Sequence, residues 1–343
     1  MEVTRRTLAS DNAAPVHPEI MEAIASANLG HAVAYGDDPW TRSACEALAG
    51  QFGTECTVAF VYNGTGANVV GVQTALSSFN SVVCSDMSHV AVDECGAIEK
   101  LTGSKTDEVR SVDGRIDVAA IEKRLEVLGV EHHSQPRVVS VTQATEVGTV
   151  YSPEQIREIA DLCHERGLYL HMDGARISNA AVSLGTDLAG TTIACGVDIL
   201  SLGGTKNGAM FGEAVVVFDS ELVVALPFIR KQSTQLASKM RYVAVQFERL
   251  FATDLWRRNA EHANAMARRL ERELSTREGV EIVYPVEANG VFARMPQRVI
   301  DAAREEVFFY SWDAGDRVVR LMCSWDTEDE EIDRLLAAID RAL

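Results

Sequence analysis

Residues 152–174 read SPEQIREIADLCHERGLYLHMDG, and two periodicities meet inside them. Ile156, Ile159, Ala160 and Cys163 recur at helical spacing, Ser152 stands at the N-cap position, Pro153 takes the first helical position and Gly167 stops the pattern. Directly behind it, LYLHM (168–172) is a short apolar run of strand type, and RVVSVT (137–142) is another ahead of it. A strand, a crossover helix and a second strand put the two strands side by side and parallel. The same alternation repeats outward. TVAFV (57–61) leads into GANVVGVQTAL (66–76), SVVCS (81–85) into VAVDECGAIEKL (90–101), and LYLHM into ARISNAAVSLG (175–185). This order predicts an α/β fold with a mainly parallel sheet covered by helices.

After DILSL (198–202) and EAVVVF (213–218) the pattern changes. LWRRNAEHANAMARRLEREL (255–274) reads as one long helix, followed by VEIVYPV, GVFARM, the helical RVIDAAREEV, FFYSW, VVRLMCS and a closing helix EDEEIDRLLAAIDRAL (328–343). Short strands of this kind pair antiparallel. The expected organisation is a large domain over residues 1–251, including an N-terminal arm, and a small α+β domain over 252–343.

The composition narrows the function classes. The chain has 343 residues, 47% of them hydrophobic, which is ample for a buried core. Fifty acidic against 32 basic residues leave a net charge of -18, which repels a phosphate backbone, so neither nucleic acid nor an anionic membrane surface is an expected partner. The start MEVTRRTLASDN lacks an apolar leader core, and no segment approaches the roughly 18 apolar residues of a membrane span; a cytoplasmic protein is expected. Seven cysteines without a CxxC pair and eight histidines without HExxH spacing suggest neither a disulfide framework nor a metal site.

In a parallel sheet, ligands sit at the carboxyl ends of the strands. Four places qualify: YNGTGANVV (62–70), SDMSHVAVDE (85–94), MDGARIS (172–178) and LGGTKNG (202–208). The NGTGAN turn aims backbone N–H groups and a helix dipole at one spot, suited to a phosphate or simply to a tight turn. Gly64-x-Gly66 with Asp86 is also an incomplete dinucleotide pattern, its third glycine replaced by Val69. Asp173 is a lone carboxylate past its strand, Arg176 is suited to a carboxylate ligand or an ion pair, and Lys206 lies among Gly203, Gly204 and Gly208 in a loop that does not fit the Walker A spacing. Pyridoxal phosphate asks for this set together: a lysine for its Schiff base, a carboxylate against the pyridine nitrogen and a phosphate cup at a helix start.

With these motifs in hand, the chain resembles the low-specificity L-threonine aldolases, fold-type-I pyridoxal phosphate enzymes of the aspartate aminotransferase-like class. The resemblance runs from ASDNAAPVHPEIMEAI through AYGDDPWT, NGTGAN, SHVAVDECGA, HMDGARISNA and GGTKNG to VVRLMCSW. It implies that Lys206 anchors the cofactor, Asp173 pairs with the pyridine nitrogen and His89 stacks on the ring. It further implies that Gly64 and Thr65 hold the phosphate, that Ser10, Arg176 and Arg320 bind the substrate carboxylate, and that Tyr35 and Arg241 reach across a subunit interface, as in a homotetramer built as a dimer of dimers with shared active sites. The sequence departs from the family pattern at TQATEVGTVY (142–151): Ala144, Thr145 and Glu146 stand where many relatives carry Asn-Thr-His, and the GGTKNG loop replaces a commoner Lys-Gly-Leu-Gly. Glu146 is therefore the candidate base for a substrate hydroxyl. The implied activity is cleavage of L-threonine, L-allo-threonine or L-phenylserine to glycine and an aldehyde. A β-eliminating lyase on the same fold and a nicotinamide oxidoreductase remain the alternatives.

Overall fold

A computed structural model describes residues 7–343; residues 1–6, the start of the expected arm and of the segment without a leader core, lie outside the described residues. The strands are β1 (Thr57–Val61), β2 (Asn80–Ser85), β3 (Lys105–Val109), β4 (Gln135–Thr142), β5 (Tyr169–Gly174), β6 (Ile199–Gly203) and β7 (Glu213–Val217), followed by β8 (Glu281–Ile282), β9 (Gly290–Arg294), β10 (Tyr310–Asp313) and β11 (Val318–Met322). The first seven form one sheet in the order β1-β7-β6-β5-β4-β2-β3. Only β7 runs against its neighbours; the rest point the same way. Every residue of β2, β6 and β7 is buried, because helices close both faces.

The helix Pro153–Glu165 is capped as its sequence predicts: Ser152 and Gln155 complete a reciprocal capping box. Its apolar stripe, with Ile156, Ile159 and Cys163, packs into the same core as Leu170 and Met172 of β5. Several elements differ from expectation. The expected helix 90–101 is two pieces, His89–Val92 and Ala97–Thr102, because Cys95 and Gly96 both take positive φ between them. Strand β3 is an edge strand whose residues Lys105–Glu108 are largely accessible, so it carries no apolar run. VEIVYPV pairs only over Glu281–Ile282.

The remaining four strands make an antiparallel sheet in the order β10-β11-β9-β8. Its core of Val291, Val319, Leu321, Ile332 and Leu335 is shared by the helices Gln297–Glu306 and Asp329–Ala342. The long helix Leu255–Ser275 serves both cores, giving Leu255 and Trp256 to the first and Ala267, Leu270 and Leu274 to the second. Leu8 also belongs to the second core and bonds by its backbone to Phe308 at 3.0 Å and Met322 at 2.8 Å, so the N-terminal segment is fastened to the small sheet. No helix among the described residues is long and apolar enough to cross a membrane.

Candidate active site

The register of the large sheet sets the site. Asp173, near the end of β5, lies between Thr142 of β4 and Ser201 of β6. The loops leaving β1, β2, β4 and β6 on that same edge carry Gly64, His89, Glu146 and Lys206. One cavity is lined by Gly64, Asn68, His89, Glu146, Asp173 and Lys206, with Arg176 at its side. Six of the residues expected at the site, Gly64, His89, Glu146, Asp173, Arg176 and Lys206, thus line one cavity.

Lys206 sits in a short 3-10 turn, Thr205–Asn207, whose approach leaves no space for side chains. A Cβ at Gly203 would stand 2.3 Å from the Ala175 carbonyl oxygen, and one at Gly204 would stand 2.8 Å from both Gly212 O and the Phe247 ring. Buried Glu213 accepts the Gly204 N–H at 2.6 Å and pins the turn from below. Among the described residues Lys206 Nζ makes no ion pair within 4 Å. Burial, then the nearby Arg176 charge, holds its pKa below the usual ammonium value.

Of the three carboxylates that line the cavity, Glu94, Asp173 and Glu146, the last two differ in how well they are satisfied. Asp173 accepts the Ala175 N–H at 3.0 Å through Oδ1 and the Asn68 amide at 2.8 Å through Oδ2. Glu146 uses a single oxygen, Oε1, to accept the His89 N–H and the Thr142 hydroxyl, each at 2.8 Å. Its Oε2 is buried without a partner, and burial raises the carboxyl pKa to about 7. Of its neighbours in the departing segment, Ala144 lines the cavity, while Thr145 is turned away into hydrogen bonds with Thr149. Glu146 alone brings an ionisable group from this loop to the site.

The two arginines are not equivalent. Arg176 is held in a two-pronged contact by Asp11, with Nε at 2.7 Å and Nη2 at 2.9 Å from its oxygens. Asp11 is also fixed by Asn289 at 3.1 Å. Burial pushes the Asp11 carboxyl up, but the charge and hydrogen bonds of Arg176, with help from Lys206 and Asn289, together outweigh it and lower the pKa. Arg320 instead donates one bond, from Nη2 to the Ala9 carbonyl at 3.2 Å, while its Nε is buried and unpartnered. Burial, then repulsion from Arg176, lowers its pKa, so its guanidinium is the better placed of the two to take up an added carboxylate. Ser10 caps the turn that presents Asp11 by accepting the Asn12 N–H at 3.2 Å. Thr65 lies beside Gly64 in the first turn of the helix Gly64–Gln73. Tyr35 and Arg241 lie outside the cavity: Tyr35 is 52% exposed beneath the Lys231 ammonium, and Arg241 bonds the Gly30 carbonyl and the Tyr242 hydroxyl on the surface.

Sequence reasoning passed over four groups: Asn68, Glu94, Asp11 and Glu213. Asn68 offered one signal, a polar residue one helical turn after Gly64 in the otherwise apolar stretch GANVVGV (66–72). Asp86, the acid of the incomplete dinucleotide pattern, is turned to Ser111, whose N–H and hydroxyl it accepts at 3.0 and 2.7 Å. No group of three or more potential metal ligands occurs among the described residues.

Known proteins are similar to this one over most of the chain. The model of the beta-eliminating lyase family matches residues 7–297. The low specificity L-threonine aldolase of Pseudomonas sp. is 43% identical over 96% of both chains, and that of Pseudomonas aeruginosa is 43% identical over 95% of both. The chain belongs to the low-specificity L-threonine aldolase family. A threonine aldolase structure from Leishmania major superposes with a TM-score of 0.93 at 30% identity, covering 98% of this chain and 99% of that one. The fold-type-I architecture expected from the sequence is therefore the observed one.

Proposed function

We propose that the protein cleaves L-threonine, L-allo-threonine or an aryl analogue such as L-phenylserine to glycine and an aldehyde, with pyridoxal 5'-phosphate as cofactor. The observation that carries the reading is one cavity holding a buried lysine amine without an ion-pair partner, the Asp173 carboxylate and the unpartnered Glu146 Oε2. The names of the 43%-identical relatives support the same activity. The residues fit the cofactor: Lys206 to attach it, Asp173 to face its pyridine nitrogen, His89 beside its ring, and Gly64 and Thr65 at a helix start for its phosphate. When bound, pyridoxal phosphate supplies the electron sink that lets an amino acid's α-carbon keep the pair left by a broken bond.

The chain's own residues do the rest. Arg320, with the remaining nitrogen of Arg176, would hold the substrate carboxylate and so orient the bonds at the α-carbon; Ser10 lies close by. Glu146 accepts the proton of the β-hydroxyl oxygen as the bond between the α- and β-carbons breaks and the aldehyde carbonyl forms. Its raised pKa leaves it proton-bound below about 7 and ionised, thus able to act as a base, above.

The reading extends to a cytoplasmic homotetramer, with Tyr35 and Arg241 serving a neighbouring subunit's site and the chain divided near residue 252 into a cofactor-binding and a small domain. The exposed apolar residues Leu29, Val33, Val224 and Phe228 support self-association, and seven unpaired cysteines support a reducing compartment. Sedimentation of the purified protein tests the assembly. For the chemistry, L-threonine should yield acetaldehyde and glycine; 2-oxobutyrate and ammonia would identify a β-eliminating lyase instead. Borohydride reduction should add the pyridoxyl mass to the peptide carrying Lys206, and Lys206→Ala should lose both the label and turnover. A Lys206→Ala variant with normal turnover would end the reading.

A further inference from the structure

His89 is gripped at two points by two carboxylates from different parts of the chain. Glu146 takes its backbone N–H at 2.8 Å, while Glu94 Oε1 lies 2.9 Å from its ring Nδ1. Glu94 is fully buried at its side chain, whereas the imidazole remains 39% exposed toward the cavity. The same Glu94 Oε1 also accepts from Asn68 Nδ2 at 2.8 Å, and that amide's second hydrogen goes to Asp173 Oδ2 at 2.8 Å. Chemistry fixes the orientation of this chain of groups. An Asn68 amide turned the other way would aim its carbonyl oxygen at two carboxylates. With Glu94 Oε1 already receiving one N–H and acting as an acceptor, the imidazole must present a hydrogen from Nδ1.

We propose that Glu94, locked in place by Asn68, is a positioning residue that holds His89 in the Nδ1–H form, so that Nε2 is the nitrogen turned to the bound ligand, and that Asn68 ties this pair to Asp173 as one charge-coupled unit. Neutral His89 then offers the ligand an acceptor at Nε2, and protonated His89 offers a donor from the same atom. The charged groups around the ring come from four elements: Glu94 in its own segment, Asp173 on β5, Lys206 after β6 and Glu146 after β4. The hydrogen bond that His89 donates to Glu94 raises its pKa above the ordinary imidazole value, with burial working against it and Asp173 adding to the rise. The inference rests on the proposed function only in taking the cavity as the ligand site; the test reads the imidazole itself.

Nitrogen-15 spectra of the histidine-labelled full-length enzyme loaded with cofactor, with His89→Asn used to assign the signal, decide the matter. Above its titration, wild-type His89 should carry its hydrogen on Nδ1, with Nε2 bare. Glu94→Gln keeps the shape and an acceptor oxygen but removes the charge, and should weaken proton binding at His89 by about tenfold or more. A neutral ring with its hydrogen on Nε2 overturns the proposal even if the variant fails to fold. So does a Glu94→Gln titration within about twofold of wild type, since a merely structural contact would not set the proton affinity. If the chain neither takes up pyridoxal phosphate nor cleaves L-threonine, the tautomer is still readable in the unloaded protein, which separates the two failures.

Discussion

The cavity edge of the large sheet and the small C-terminal sheet use ionisable residues in opposite ways. At the edge, Asp11, Glu94, Asp173, Glu213 and Lys206 are withdrawn from water within one neighbourhood, and Glu94, Glu146 and Arg320 each keep an atom without a partner. In the small sheet the core is apolar apart from the buried Glu331 of the closing helix, and most charges sit outside in pairs such as Arg269 with Asp329 and Asp333 or Arg277 with Asp340. Partly exposed pairs of that kind contribute about 0–1 kcal/mol each, whereas an unsatisfied buried polar atom costs about 1–3 kcal/mol. One region holds the fold together with apolar packing; the other carries strain in its polar groups so that a ligand can relieve it.

The sharpest way to break this contrast is Glu146→Gln. If Glu146 is the proposed base for the β-hydroxyl, its loss should lower turnover by about 100-fold and remove the rise of activity through pH 7 that its ionisation would produce. The same change should stabilise the fold at high pH. A carboxyl whose folded pKa is raised gives up stability as pH climbs from its unfolded value toward about 7, and Gln escapes that loss. Melting curves at pH 5 and pH 8 should show the variant gaining on the parent only at the higher pH. Turnover within about threefold of the parent would remove Glu146 from the role.

A smaller effect separates the two arginines. Arg320→Lys keeps the charge but loses the planar fork, and should raise the KM for L-threonine about tenfold while leaving the cofactor spectrum unchanged. Arg176→Lys should disturb the fold as well, because it breaks the buried contact with Asp11. Equal melting temperatures for the two variants would contradict their different partners. Smallest of all, Asp333→Ala on the outside of the small sheet should change stability by less than about 1 kcal/mol and turnover not at all. A large loss there would mean that the surface pairs matter as much as the core.

What the sequence disclosed follows the same divide. The strand-helix-strand run through residues 137–174 was legible because periodicity and capping residues act locally, and Asp173 and Lys206 were legible because strand ends predict the ligand edge. Edge strand β3, KTDEV, was not, since a strand that is largely open to solvent needs no apolar alternation. Glu94 and Asn68 were hidden for another reason. Their partners lie 26 and 105 residues apart in the chain from Asn68, and no local pattern reports such a contact. The pairing of Arg176 with Asp11 spans 165 residues and likewise belongs to the tertiary fold alone.

The fastening of Leu8 to Phe308 and Met322 makes the order of synthesis matter. The ribosome delivers Asp11 well before Lys206, yet the segment that brings Asp11 to Arg176 is anchored through Leu8 on Phe308 and Met322, which follow Lys206 in the chain. Until β11 has emerged, Arg320 is absent and Leu8 lacks its partner Met322. A nascent chain that has already completed the seven-stranded sheet therefore still lacks Arg320 and the Leu8 anchorage, and these join the cavity's surroundings only once β11 has been made.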